Sequence, residues 1–267
     1  MSWTYRRRGR IDLDMNDNLS TEFAGRRALV TGGSRGIGAA VAQRLLDAGA
    51  TVAVAARSRH AETPAGAIFI AGDVATEAGA QAIGAQALAA LGGLDILINN
   101  AGGTRVHLPG SEAIADAEWV AALDLNFLSA VRLTYAVLPA LRAATSAAII
   151  NVSAGGVLPF GGPVAHYGAA KAALNAFTRS LARELAPARI RVNIVTPGAV
   201  LTPGGDEGRD VLTQAMGITH DEFFARIPLG RPGRASEVAE MIAFLVSPRG
   251  EWITGHNHYV DGGWGEL

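Results

Sequence analysis

From residue 26 onward, short runs of apolar and β-branched residues alternate with longer, alanine-rich stretches whose apolar positions recur with helical spacing. The short runs predict strands at 27–31, 51–55, 67–71, 95–99, 148–152, 191–195 and 258–260. The long ones predict helices at 37–48, 77–91, 112–143, 165–186 and 235–246, the last closed by Ser247-Pro-Arg-Gly250. Strands that alternate with helices build strand–helix–strand units around a parallel sheet. No linker or long-period repeat interrupts the series, so residues 25–267 are expected to form one doubly wound α/β domain with a seven-stranded parallel sheet flanked by helices. Residues 1–24 show little periodicity and are expected to form a flexible extension.

Composition narrows the partners. Of the 267 residues, 49% are apolar, enough for a sizeable core in a soluble globular protein. The formal charge is only -1, and Asp12, Asp14 and Asp17 offset the cluster of Arg6, Arg7, Arg8 and Arg10, so no nucleic-acid partner is expected. No run of ~18 consecutive apolar residues spans a bilayer, and the N-terminus lacks the apolar core of a signal peptide. With no cysteine, disulfides and thiolate chemistry are excluded. The expectation is a cytoplasmic protein whose partners are small molecules or copies of itself, with no membrane partner.

Two constellations carry chemistry. Tyr167 and Lys171 stand four residues apart in a helical stretch, which stacks phenol and ammonium on one face. A cation beside a phenol favours phenolate and draws its pKa toward physiological pH, so the pair reads as an acid/base device. The second is Thr31-Gly-Gly-Ser-Arg-Gly-Ile-Gly38, set between a strand and a helix. There Gly32 permits a tight turn, Gly36 admits phosphates to the backbone, and Gly38 lets helix pack on strand, with the helix N-terminus facing the anion. Ser34 in this loop reads as a phosphate contact and not as a nucleophile. His256 and His258 share a strand face, but no third ligand is spaced to complete a metal site, so none is expected.

Further motifs follow in order: Asp73-Val74, Asn99-Asn-Ala-Gly102, Asn126, Pro197-Gly198 with Thr202, Ile253-Thr-Gly255 and Val260-Asp-Gly-Gly263. With Tyr167-x-x-x-Lys171 and the glycine loop, this set resembles the shorter members of the short-chain dehydrogenase/reductase family, similar to the 3-oxoacyl-carrier-protein reductases, from about residue 25 to 264. The resemblance implies a Rossmann fold and hydride exchange between a nicotinamide cofactor and a ketone or secondary alcohol. It implies that Tyr167 is the proton donor or acceptor, that Lys171 lowers its pKa and holds the nicotinamide ribose, and that Asn126 anchors a water leading to Lys171. It also implies that Gly32, Ser34, Arg35, Gly36, Ile37 and Gly38 cradle the cofactor phosphates. Asn100, Ala101, Gly102, Pro197, Gly198, Val200 and Thr202 would line the cofactor, and Asp73, with Val74, would take the adenine amino group. Family members that prefer NAD usually carry an acidic residue at the end of the second strand. Val54-Ala-Ala-Arg-Ser58 offers none, and Arg57, Ser58 and Arg35 suit a 2′-phosphate, so NADP(H) is preferred and NAD(H) stays open.

One position departs from the family pattern. The family's catalytic serine lies thirteen residues before the tyrosine, which here is Ala154, with Ser153 one place earlier. Two accounts stay open: the segment 154–156 slips by one residue and aims Ser153 at the substrate, or the hydroxyl is absent and turnover suffers. The substrate pocket is expected to run through 103–108, 155–166 and 201–228, including Met216, Phe223 and Phe224, with His107 and His166 as polar contacts or as surface residues. That apolar wall suits a moderately apolar carbonyl or alcohol. By family resemblance, dimers or tetramers would form through the helices at 112–143 and 165–186 and the last strand. The rival reading is an NADP(H)-binding sensor or scaffold with little turnover, which Ala154 favours.

Overall fold

A computed structural model of the chain describes residues 19–154 and 162–265. Seven strands form one parallel sheet: β1 Arg27–Thr31, β2 Thr51–Ala56, β3 Ile68–Ala71, β4 Ile96–Asn99, β5 Ala147–Val152, β6 Ile190–Pro197 and β7 Asn257–Val260. Their spatial order is β3-β2-β1-β4-β5-β6-β7, so the chain winds outward in both directions from the β1–β4 boundary. Helices cover both faces, which is why the central strands are buried and read as almost unbroken apolar runs. On one face α1 (Gly36–Asp47) and α8 (Ala235–Val246) close over Ala28, Val30, Ile98, Ile150 and Val152. On the other, α2 (Glu77–Leu91), α4 (Ser129–Ala143) and α5 (Ala165–Leu185) close over Leu29, Leu97, Ile149 and Val192.

Near the carboxyl ends of the central strands the core turns polar. Asn99 and Asn151 face each other in register on β4 and β5. Asn99 Nδ2 donates to Asn151 Oδ1 at 2.8 Å and to Thr134 Oγ1 of α4 at 3.1 Å, and Asn151 Nδ2 donates to Thr178 Oγ1 of α5 at 2.8 Å. A buried network of this kind tolerates little misplacement, because any unpaired member costs ~1–3 kcal/mol. It therefore fixes α4 and α5 against the strand ends.

Three expectations change. The helix expected at 112–143 is a short 3₁₀ turn at Ser111–Ala113, α3 at Asp116–Leu123, a π turn at Asp124–Leu128, and then α4. The interruption falls at Asn126, whose side chain bonds backbone outside its own helix, and π turns commonly mark functional positions. Secondly, the domain begins before residue 25. Phe23 is fully buried, its N–H donates to the Ala48 carbonyl at 2.8 Å, and Glu22 pairs with Arg249 and Arg44. The arginine cluster and the acidic residues after it lie outside the described residues. Thirdly, 201–228 holds two helices not foreseen, α6 (Pro203–Met216) and α7 (His220–Phe224). Their signals were present: Thr202 caps α6 before a proline at its first position, and Thr219 with Glu222 forms a capping box.

The run Asp116–Ala143 is long and apolar enough to cross a membrane by length and composition. Here Leu133, Val137 and Leu141 on that run are buried against the sheet, as in a core helix.

Candidate active site

The glycine loop is held by its neighbours. Thr31 Oγ1 accepts from the backbone N–H groups of Asn100 and Ala101, both at 3.0 Å, and Asn100 Nδ2 donates to the Thr31 carbonyl at 2.9 Å. The two central strands are thus tied at the switch point of the sheet, where ligands of open α/β folds bind. Gly36 opens α1 at φ +57°, which strains any residue with a Cβ, and a Cβ there would also sit 3.2 Å from Thr202. At Gly38 a Cβ would lie 2.2 Å from the Gly32 carbonyl oxygen, so only glycine allows loop and helix to approach. Arg35, the N-cap residue of α1, supplies no side-chain cap. Instead the Gly36 N–H donates to the carboxylate of Glu62 at 2.9 Å. The strand end itself lacks a carboxylate, as the sequence indicates, but the fold returns one from the following loop.

The acid/base pair lies across the cleft on α5. Lys171 is 3% exposed, and its Nζ donates to the Val152 carbonyl at 2.8 Å. The ammonium lies over the Tyr167 ring, 5.8 Å from its centroid. Burial pushes Lys171 down from 10.5 to about 8 and Tyr167 up from 10.0 to about 12. The phenol therefore moves opposite to the sequence expectation. The cation is engaged with a backbone carbonyl and faces the ring, so desolvation outweighs its pull on the hydroxyl. Asn126 is 2% exposed behind this pair: its Oδ1 accepts from Gly103 N at 3.0 Å, and its Nδ2 donates to Gly103 O at 2.9 Å and Ala122 O at 3.1 Å. Gly102 passes between the two groups, where a Cβ would come 2.9 Å from Asn126 Oδ1 and 3.3 Å from Lys171 Nζ.

Ser153 keeps strand register one residue beyond β5, its N–H donating to the Val195 carbonyl at 2.8 Å. It is 4% exposed, and its Oγ is enclosed without a hydrogen-bond partner among the described residues. Ala154, half-buried, follows it. No slip occurs at Ser153 itself, and the glycines at 155 and 156 lie outside the described residues, as does the expected pocket wall through 161.

One cavity of about 660 Å³ joins these parts. All the cofactor-binding residues foreseen from the sequence border it, as do Ser153, Ala154, Tyr167 and Lys171, whereas Asn126 lies behind it. Asp73 is at its rim with one oxygen accepting from Ala75 N at 3.0 Å. The volume is within the range of cofactor sites, ~300–1,000 Å³, and the glycines leave room for a ligand where a Cβ would intrude. The far end is apolar, with Val106, Leu125, Val164, Leu212 and Phe223. Arg209 of α6, missed in the sequence, also borders it; its Nη2 donates to the Val200 carbonyl at 3.0 Å, and its guanidinium pairs with Asp206 and lies 4.9 Å over the Phe224 ring. Four of the wall residues named from the sequence, Met216, Phe224, His107 and His166, do not border the cavity. Met216 is 42% exposed and off the cavity. His166 is buried edge-to-face against His107 and Trp119, its pKa lowered by that burial, and neither histidine borders the cavity.

A family model described as enoyl-(acyl carrier protein) reductase matches residues 32–265. The chain belongs to the short-chain dehydrogenase/reductase family. The chain is 38% identical over 249 residues to the 3-oxoacyl-[acyl-carrier-protein] reductase FabG of Escherichia coli, a match that spans 90% of this chain and 98% of the relative. Among solved structures, L-sorbose reductase from Gluconobacter frateurii, complexed with NADPH and L-sorbose, matches with a TM-score of 0.84 and 30% identity over 93% of this chain and 99% of that one. The 3-ketoacyl-(acyl-carrier-protein) reductase of Brucella melitensis, complexed with NADH, matches with a TM-score of 0.79 and 30% identity over 91% and 99% of the two chains. Short-chain dehydrogenase/reductases of this kind are oxidoreductases, and the seven-stranded parallel sheet is theirs.

Proposed function

We propose that the protein reduces a ketone, or oxidises the matching secondary alcohol, with NADP(H) as preferred cofactor and Tyr167 as the acid/base group. The observation that carries this is the shared cavity: the glycine loop at one end, and Tyr167, Lys171 and Ser153 at the other. When bound, the nicotinamide supplies or accepts the hydride. In reduction the Tyr167 hydroxyl donates its proton to the oxygen that becomes the alcohol, and in oxidation the phenolate takes it back. Lys171 would hold the ribose of the bound cofactor, and its charge would oppose the burial that disfavours the phenolate; Asn126 fixes the Gly102–Gly103 backbone that borders the pair. Ser153 is the candidate polarising hydroxyl, because a buried Oγ without a partner can take a substrate oxygen as one. Arg57, Ser58 and Arg35 suit the 2′-phosphate.

The apolar far end suits a carbonyl carried on an aliphatic chain, and the name of the Escherichia coli relative supplies the class to test first, a 3-oxoacyl thioester. The test follows cofactor absorbance with 3-oxoacyl thioesters, cyclic and acyclic ketones and ketoses, using NADPH and NADH. Equal KM values for the two cofactors would refute the NADP(H) preference. Ser153→Ala is expected to lower kcat by roughly 10²-fold to 10³-fold, and an unchanged rate would remove Ser153 from the mechanism. The second reading, a cofactor binder with little turnover, is favoured by Ala154, which stands where the family carries its serine; tight NADPH binding without turnover on every class would establish it. Assembly into a dimer or tetramer is proposed through α4 and α5, where half-exposed Tyr135 stacks edge-on against Phe177, and is tested by mass in solution.

A further inference from the structure

The carboxylate at the start of α1 is unusual in its origin. The N-cap residue Arg35 gives no side-chain cap and the first turn holds no acidic residue, so the helix does not satisfy its own leading donors. Glu62, 26 positions along the chain from Gly36, reaches back to accept its N–H. It does so because its loop is clipped to the glycine turn. Thr63, 9% exposed, donates through Oγ1 to the Ser34 carbonyl at 3.2 Å and accepts from His60 N at 3.1 Å. The same loop begins at Arg57 and Ser58, on the cavity wall.

We propose that Glu62 is a built-in occupant of the anion site at the start of α1, which the pyrophosphate of the dinucleotide must displace, so that this residue sets cofactor affinity. The inference rests on the cofactor reading given above. A carboxylate and a phosphate compete for one N–H donor and one helix dipole, and two anions there repel. Displacement is undemanding because Glu62 is exposed and can swing into water while Thr63 keeps the clip. The competition falls on the pyrophosphate, common to both cofactors, so it weakens NADPH and NADH alike.

The experiment titrates the apo protein with NADPH and with NADH by fluorescence and calorimetry for wild type, Glu62→Gln and Glu62→Asp. Both variants are expected to bind both cofactors roughly threefold to tenfold more tightly, Asp because its shorter side chain no longer reaches Gly36 while its charge remains. The apo Tm is expected to fall by about 1–3 °C as the cap loses its charge in Glu62→Gln or its reach in Glu62→Asp, a pairing that a purely structural cap does not produce, since it would weaken binding as well. Unchanged or weaker binding in Glu62→Gln overturns the proposal, as does a gain for only one cofactor or wild-type binding by Glu62→Asp. Wild type that binds neither dinucleotide refutes instead the cofactor reading itself.

Discussion

Lys171→Met tests how burial has reshaped the acid/base pair. In the native state Lys171 loses its proton near pH 8 instead of 10.5, which corresponds to roughly 3 kcal/mol at about 1.4 kcal/mol per tenfold change in equilibrium constant. The folded-state pKa of this base is depressed, so below pH 8 the buried ammonium destabilises the fold by that amount. Between pH 8 and 10.5 the unfolded state binds more protons than the native one, and wild-type stability rises with pH. Methionine reproduces the apolar stem of the side chain without the amine and does not titrate, so the rise attributable to residue 171 disappears. At pH 7 the variant gains the ~3 kcal/mol and loses ~1–3 kcal/mol by leaving the Val152 carbonyl without its donor, so it is expected to equal or modestly exceed wild type in stability. Tyr167, whose pKa is raised to about 12, adds the opposite slope in both proteins: its contribution is full below pH 10 and is lost as pH rises toward 12. The assay is urea unfolding at pH 7, 8, 9 and 10, with the wild-type-minus-variant difference isolating residue 171. A difference that stays constant within about 0.5 kcal/mol across that range refutes the burial argument. Activity is expected to fall sharply in the variant whichever way stability moves.

Asn126→Ala removes a buried amide from the π turn and frees the Gly103 N–H and carbonyl, which are exposed to water, and the buried Ala122 carbonyl; it is expected to cost ~1–2 kcal/mol in chemical denaturation together with most activity. Gly102→Ala drives a methyl group toward Asn126 and Lys171; a loss of roughly tenfold or more in kcat with an unchanged circular dichroism spectrum is expected, and wild-type kcat would show the cleft to be more yielding. Arg209→Met releases α6 from the Val200 carbonyl and the Phe224 ring, so KM for the carbonyl substrate is expected to rise several-fold with little change in kcat, checked by steady-state kinetics.

Strands of this protein were legible because a sheet covered on both faces demands apolar residues at nearly every position, as in Leu29, Val30, Ile96, Leu97 and Ile98. The glycine loop was legible because Gly36 and Gly38 answer requirements that no other residue meets. Helices α6 and α7 announced themselves only through caps, since their apolar faces are short and mixed with polar residues. The π turn had no periodic signature, because it exists to let Asn126 reach backbone that lies 23 residues away in sequence.

Sequence alone determined the order of strands and helices, the family and the identity of the chemical groups, since these follow from local spacing and from motifs a few residues long. Tertiary structure decided what those groups experience. Lys171 faces the Val152 carbonyl and the tyrosine ring, so burial raises the phenol that spacing suggested would fall. Glu62 reaches the helix start, where local sequence shows no acid, and Ser153 is enclosed where the spacing left its direction open. Each of these depends on contacts between segments distant along the chain, and both the dielectric around a charge and the partner of a hydrogen bond are set by such contacts.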